Sequence, residues 1–472
     1  MRRSLVATTV ALAGILPLVA ASPALAAPAY APGSTTGSDP YFPASGNGGY
    51  DVQNYRLTLD YEPGTGRLDG SAVIQLQAGA ADLRSFSLDL RGLTASKVVV
   101  DGRSVPFRQE AGVDGRGGEL VVTAPFMHHT GHTVTVTYGG VPGKPRDISG
   151  ELYGWVSFPD GALVANEPEG AGTWFPVNDV PSDKATYDFV ITVPAGKTAV
   201  ANGDPVGLPT TANGRTTWRW HSREPMASYL ATASIGDYQM TTRIGVHGQP
   251  VHDFVDKDIK GTARTTTEAA LAKEPQMLAF LEGVYGPYPF TSFGSIVDDN
   301  SVGYALETQT KPVYSGRASE STVLHEMAHQ WTGDSVTPAL WKDIWLNEGF
   351  ATYAEWLWAE HTGKATLQQS FDAVMAEPAD DADLWQVPVA DPGAQDLFAA
   401  ATYDRGAAAL YALRGTIGAD AFATLLRRWT AQHRYGNATT ADFTALAERV
   451  SHQQLDAFFT TWLYTPVKPT TW

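Results

Sequence analysis

Apolar and polar residues alternate in short runs through the first half of the chain and recur at helical spacing through the second. Between about Gly49 and Tyr238 the runs "YRLTLDY", "AVIQLQA", "KVVVDG", "ELVVTA" and "TVTVTYGG" are separated by breaks rich in turn residues. Period-two alternation with β-branched and aromatic residues predicts an antiparallel β domain with one strand face on a core. After about residue 240 the runs lengthen, and "TTTEAALAKEPQMLAFLEGVYG" predicts helix. At the end of the chain Ser451 and Gln454 read as a capping box, followed by Leu455, Phe458, Phe459, Trp462 and Leu463 at helical spacing until Pro466. Residues 376–399, acidic and broken by three prolines, predict an irregular loop.

Length and composition fit this pattern to more than one core, since 472 residues with 43% apolar content exceed a single domain. Arg2 and Arg3 precede an apolar run from Leu5 to Ala21, and Ala24-Leu25-Ala26 supplies a small-residue cleavage site. The expected organisation is therefore a signal peptide at 1–26, a flexible arm at 27–48 with no fold role, a β domain at 49–240 and a second domain at 241–472. Export to the extracellular space follows from the first of these. Removing that leader takes away two arginines and no acid, so the formal net charge moves from −17 to −19. Such a charge repels nucleic acid and anionic membrane surfaces. There is no cysteine, so a metal site has only His and carboxylate to draw on.

The chemistry-bearing stretch is "HEMAHQWTGDSVTPALWKDIWLNE", residues 325–348. Its surroundings "STVLHEMAHQW" hold no Gly or Pro and favour a helix, on which His325 and His329 share a face. Glu326 points elsewhere, which suits a base better than a ligand. Catalytic zinc takes three protein ligands and leaves one open position. Glu348, with eighteen residues between it and His329, is the natural third, placed at the start of the helical run "GFATYAEWLWAEH". By contrast His128, His129 and His132 in "MHHTGH" lie between two strand-like runs and read as a polar turn.

Together "HEMAHQW", the eighteen-residue gap and "WLNEGFA" resemble the gluzincin metallopeptidases of the aminopeptidase N family. The resemblance implies that His325, His329 and Glu348 hold one zinc ion and that Glu326 is the general base. "YGPYPF" at 285–290 is similar to a family segment upstream of the active site. "GYALETQ" at 303–309 stands where the family has Gly-Ala-Met-Glu-Asn, matching at Ala305 and Glu307 and departing at Tyr304, Leu306 and Thr308. By resemblance Glu307 binds the substrate's free α-ammonium group, with Tyr304 and Ala305 beside it. "EPEGAGTWFPVNDVPSDKA" at 167–185 places Glu167 on a second amine-binding position, with Gly172 where the family carries an arginine. "YDRGAAALYAL" places Tyr403 as the oxyanion donor.

The resemblance runs from about Gly49 to the C-terminus. It implies an N-terminal antiparallel β-sandwich-like domain, then a thermolysin-like, mainly helical zinc-peptidase domain of α+β class, with substrate in the cleft between them. The expectation is a short, secreted, monomeric zinc aminopeptidase without a C-terminal helical domain over a more open cleft. Its partners would be peptides with a free N-terminus, not nucleic acid or membrane. The rival readings are a zinc endopeptidase, an epoxide hydrolase, and a secreted binding protein whose zinc domain is inactive; a serine hydrolase is disfavoured because no GxSxG occurs.

Overall fold

The alternating runs become one large sheet. Along Tyr50–Glu62, Tyr55, Leu57, Leu59 and Tyr61 are buried while Arg56, Thr58 and Asp60 are exposed, as a strand with one wet face requires. The computed structural model describes residues 31–113, 116–146, 150–298 and 302–470; the segment expected to be a signal peptide lies outside them. The Tyr50–Glu62 strand pairs antiparallel with Arg67–Ala78, which in turn pairs with Gly131–Gly140 and then Thr94–Val100. On its other side it runs parallel to Ala185–Pro194. The sheet is therefore mixed, not purely antiparallel. The connection between those two parallel strands runs over a hundred residues and can return the chain in the same direction, which no hairpin can do. Two four-stranded sheets complete the β domain, and Trp155, Trp174, Phe175 and Tyr187 are buried in its core.

The chain leaves this domain between Ala233–Gly236, which pairs with Thr198–Ala201, and Tyr238–Ile244, which opens a five-stranded sheet with Pro250–Asp256. The helices of the second domain pack over that sheet around their own core, which includes Trp331, Trp345, Trp385, Trp429 and Trp462. The predicted helix after residue 260 is two helices, Gly261–Leu271 and Glu274–Tyr285, because Pro275 lacks an amide hydrogen and fits only the first turn of a new helix. Ser451 is not an N-cap. It closes the Thr440–Ser451 helix, and its hydroxyl donates back to the Ala447 carbonyl at 2.8 Å. The last helical turns begin only after Leu455, and they do bury Phe459, Trp462 and Leu463. Reciprocal capping boxes form instead at Thr366–Gln369 and Thr439–Asp442.

The two domains are joined by more than apolar contact. The ammonium of Lys184, on the β domain, donates to the carbonyls of Asp334 at 2.8 Å and Ser335 at 3.2 Å and to the Thr337 hydroxyl at 2.9 Å. The sequence reading gives residues 27–48 no fold role, yet Asp39, Phe42, Ser45 and Asn47 are buried and hydrogen-bonded or packed against both domains.

Candidate metal centre

Ser319 opens the site helix by accepting the Thr322 amide hydrogen, and Glu320–His329 follows with Val323, Leu324, Met327 and Ala328 on the core. That burial turns His325 and His329 together toward the domain cleft. The Trp345–His361 helix lies across them and carries Glu348 in its first turn. The Nε2 atoms of His325 and His329 come within 3.1 and 3.4 Å of the same Glu348 carboxylate oxygen. The three side chains offer donor atoms all within 4.8 Å of one another, which a single small cation can bridge.

The far sides of both imidazoles are pinned. His325 Nδ1–H donates to Glu355 at 2.8 Å, and His329 Nδ1–H donates to the Thr332 carbonyl at 3.1 Å. Those bonds fix the tautomer that leaves each Nε2 lone pair facing Glu348, as a metal-ligating histidine requires. Burial opposes ionisation of Glu348, but the two imidazoles, when protonated at Nε2, outweigh it and hold the carboxyl at about 2; a metal ion would take the place of those Nε2 protons. The donor set thus fits zinc: two nitrogens and an ionised carboxylate, with their hydrogen-bond supports in place.

Glu326 is buried on the same helix and outside that trio. Burial pushes its carboxyl up to about 8 against the pull of His325 and His329, and a bound dication would add to that pull. Tyr403 belongs to the Ala401–Arg405 turn before the Gly406–Ile417 helix, and its ring lies nearly parallel to that of His325 at 6.1 Å. The turn reaches the metal-site helices because Gly349 and Gly406 let two helix backbones touch: a Cβ on either would meet the Cα of the other at 3.0 Å.

These groups line one cavity of about 290 Å³, together with Glu167, Ala305, Glu307 and Thr322. Glu307 directly follows the edge strand Ala305–Leu306, and Glu167 follows the Gly161–Ala165 strand of the β domain. Each has one buried carboxylate oxygen with no hydrogen-bond partner. Burial, and then the charges of their carboxylate neighbours, raise both above the ordinary range. A buried carboxylate oxygen without a donor is costly unless a cation joins it.

The structure therefore brings together eight of the nine residues singled out from sequence. Tyr304 is the exception: it does not line the cavity, and its hydroxyl donates to the Leu152 carbonyl at 2.9 Å, holding the strand to the β domain. Glu355 and Thr322 line the cavity without having been singled out. The signal for Glu355 is its place seven residues after Glu348, two helical turns along one face. His128 and His132 form separate surface pairs with Asp82 and Asp101, and no three-ligand group among the described residues includes them.

A β-rich domain followed by a helical domain with HExxH and a distant glutamate defines a two-domain gluzincin zinc metallopeptidase. Residues 51–230 match the peptidase M1 N-terminal domain and residues 297–462 the peptidase family M1 domain, and the chain belongs to that family, on its aminopeptidase N-like branch. The chain is 28% identical to human endoplasmic reticulum aminopeptidase 1 over 349 residues, covering 68% of this chain and 36% of that protein. It is 26% identical over 466 residues to aminopeptidase N of Lactobacillus delbrueckii subsp. lactis, covering 89% of this chain and 51% of the relative. It thus spans about a third to a half of the curated relatives it matches. Among solved structures, a mutant M1 zinc metallopeptidase from Deinococcus radiodurans bound to a Tyr-Ser-Ala substrate superposes with a TM-score of 0.81 at 29% identity, covering 91% of this chain and 98% of that one. Zinc is the cofactor of this centre.

Proposed function

We propose that this chain is an aminopeptidase that removes N-terminal residues from peptides. The observation that carries the reading is the pair of unpartnered, buried carboxylate oxygens on Glu167 and Glu307 in the same cavity as the His-His-Glu set. An α-ammonium group satisfies both, because charge-assisted hydrogen bonds are strongest where water is excluded. Anchoring the amine there fixes how far the first peptide bond lies from the metal centre, so the cut falls after one residue.

Zinc held by His325, His329 and Glu348 would lower the pKa of water and polarise the scissile carbonyl. Glu326, adjacent but not a ligand, takes a proton from the attacking water and returns one to the leaving nitrogen as the C–N bond breaks. The Tyr403 phenol, which burial and then Glu348 keep protonated, donates to the carbonyl oxygen as it becomes tetrahedral. The tripeptide substrate of the D. radiodurans relative is of the class this arrangement accepts. Secretion of a monomeric enzyme is part of the same proposal, supported by the leader-like sequence at 1–26 and the acidic composition. Among the described residues, no helix is long and apolar enough to cross a membrane.

The test is a panel of aminoacyl fluorogenic amides beside their N-acetylated forms, with and without chelator. Cleavage of the free-amine series alone, lost on chelation and restored by zinc, is the expected result. Equal cleavage of the blocked series would replace this reading with an endopeptidase. No cleavage of either would favour the binding protein.

A further inference from the structure

Residues 39–47 touch the second domain at two places and the β domain at three, and three of these contacts lead along the chain to a site residue. Asp39 accepts the Tyr41 amide at 2.8 Å with one carboxylate oxygen and the Trp341 amide at 2.6 Å with the other. Trp341 begins the turn that leads, seven residues on, to Glu348. The Phe42 ring meets the Trp341 ring edge-on at 6.3 Å. The Tyr41 hydroxyl donates to the Asp391 carboxylate and accepts the Gly393 amide hydrogen at 2.9 Å. That pair opens the loop that ends, ten residues after Gly393, in Tyr403.

The other end of the segment is fastened to the β domain. The Ser45 hydroxyl donates to the Glu169 carboxylate, two residues after Glu167. The Gly46 amide donates to Asp89 at 3.1 Å, and the Asn47 amide donates to Asn178 at 2.6 Å. Asp39, Ser45 and Asn47 are each at most 6% exposed. Three segments that deliver Glu167, Glu348 and Tyr403 to one cavity are thus tied to a single stretch of nine residues. The loop from Asp391 to Ala399 has no regular structure of its own, so external ties decide where it ends.

We propose that Asp39 and Tyr41 are positioning residues, and that the 39–47 segment is a strap setting the spacing of Glu167, Glu348 and Tyr403 across the two domains. The inference rests on the proposed function for the role of Tyr403, and on geometry alone for the strap. Releasing Tyr41 lets the 391–399 loop shift, which moves the phenol of Tyr403 relative to the scissile carbonyl. A misplacement on the order of 1 Å at a reacting centre is enough to slow turnover strongly.

The experiment uses the full chain with zinc bound. Tyr41→Phe keeps the ring and removes both hydroxyl bonds. It should lower kcat on an aminoacyl amide about tenfold with KM within about twofold and zinc content unchanged. In a Tyr403→Phe background the same change should cost almost nothing further, because the two act through one group. Asp39→Asn, which keeps an acceptor for the Trp341 amide, should recover most of the activity that Asp39→Ala loses. Ser34→Ala, in the same arm, whose hydroxyl among the described residues bonds only to Thr36, should leave kcat unchanged. An unchanged kcat in Tyr41→Phe, or an undiminished tenfold loss in the Tyr403→Phe background, would overturn the proposal. If the wild-type chain cleaves no amide, the proposed function fails, and amide exchange still decides the strap. Faster exchange over residues 391–405 in Tyr41→Phe, with the 185–194 strand unaffected, supports it; equal exchange in both segments overturns it. Should Asp39→Ala fail to fold, the Tyr41→Phe measurements stand alone.

Discussion

A carboxylate that shuttles a proton between water and a leaving amine must stand beside the metal without binding it, and one step along a helix gives Glu326 that place. Glu326→Gln keeps the volume and loses the base. It should lower kcat by about 10²–10⁴-fold with zinc content unchanged by elemental analysis; near-normal turnover would remove Glu326 from the mechanism. Glu355 acts one bond further out, through His325 Nδ1. Glu355→Ala should weaken zinc binding by about 10–100-fold in a competition with a chromogenic chelator, because the imidazole loses its orientation and basicity. The His325, Glu326 and His329 set could be read from sequence because its geometry is local: one helix fixes it. Glu167, Glu307 and Tyr403 come from three distant segments, and only the family resemblance joined them. Glu355 was in reach through its spacing from Glu348, but nothing marks a glutamate as a support until the nitrogen it holds has been placed. Tyr304 lies away from the cavity because its neighbour Ala305 faces it, and successive residues of an extended segment point to opposite sides.

Between elements, the decisive contact is the crossing of the Trp345–His361 and Gly406–Ile417 helices at Gly349 and Gly406. It brings the turn that holds Tyr403 down onto the helix that holds Glu348. A methyl group at either position meets backbone, which cannot swing aside. Gly349→Ala should therefore push the helices apart, lowering stability by about 1–3 kcal/mol in urea unfolding. It should also reduce kcat more than it raises KM, since the displaced group acts in the transition state. A stability loss without any kinetic effect would mean that Tyr403 is placed independently of this crossing. The sequence showed where strands and helices lie, because burial imposes periods of two and 3.6 on the apolar residues. It misread what depends on partners. Ser451 has the composition of an N-cap, yet its hydroxyl is taken by the helix before it. The parallel pairing of Tyr50–Glu62 with Ala185–Pro194 leaves no local mark at all.

At the scale of the whole molecule, the acidic composition that marks the surface also reaches the interior of the β domain. A Pro-, Gly- and Ser-rich arm looks the same in sequence whether it hangs free or is laid across two domains, and here it covers Asp89. Beneath it Glu119 pairs across the sheet with Asp89, is 8% exposed, and has neither carboxylate oxygen hydrogen-bonded. Burial, and then the charge of Glu110, push its carboxyl up to about 8. Asp179 and Asp183, also buried there, are pushed mainly by burial to about 6 and about 7. The sign follows from the proton count: between the ordinary carboxylate range and these raised values the folded state holds protons that the unfolded state has released. Stability contributed by these groups is therefore fully present below the ordinary carboxylate range, falls as pH rises from about 4 toward 8, and is flat above it. Glu119→Gln removes one such group without changing its volume. The variant should match the wild type in urea unfolding near pH 5, gain on it steadily to about pH 8 by on the order of 4 kcal/mol, and gain no more by pH 9. A difference that does not change with pH would show that Glu119 is ionised and satisfied in the folded chain, and that the fall in stability belongs to Asp179 and Asp183.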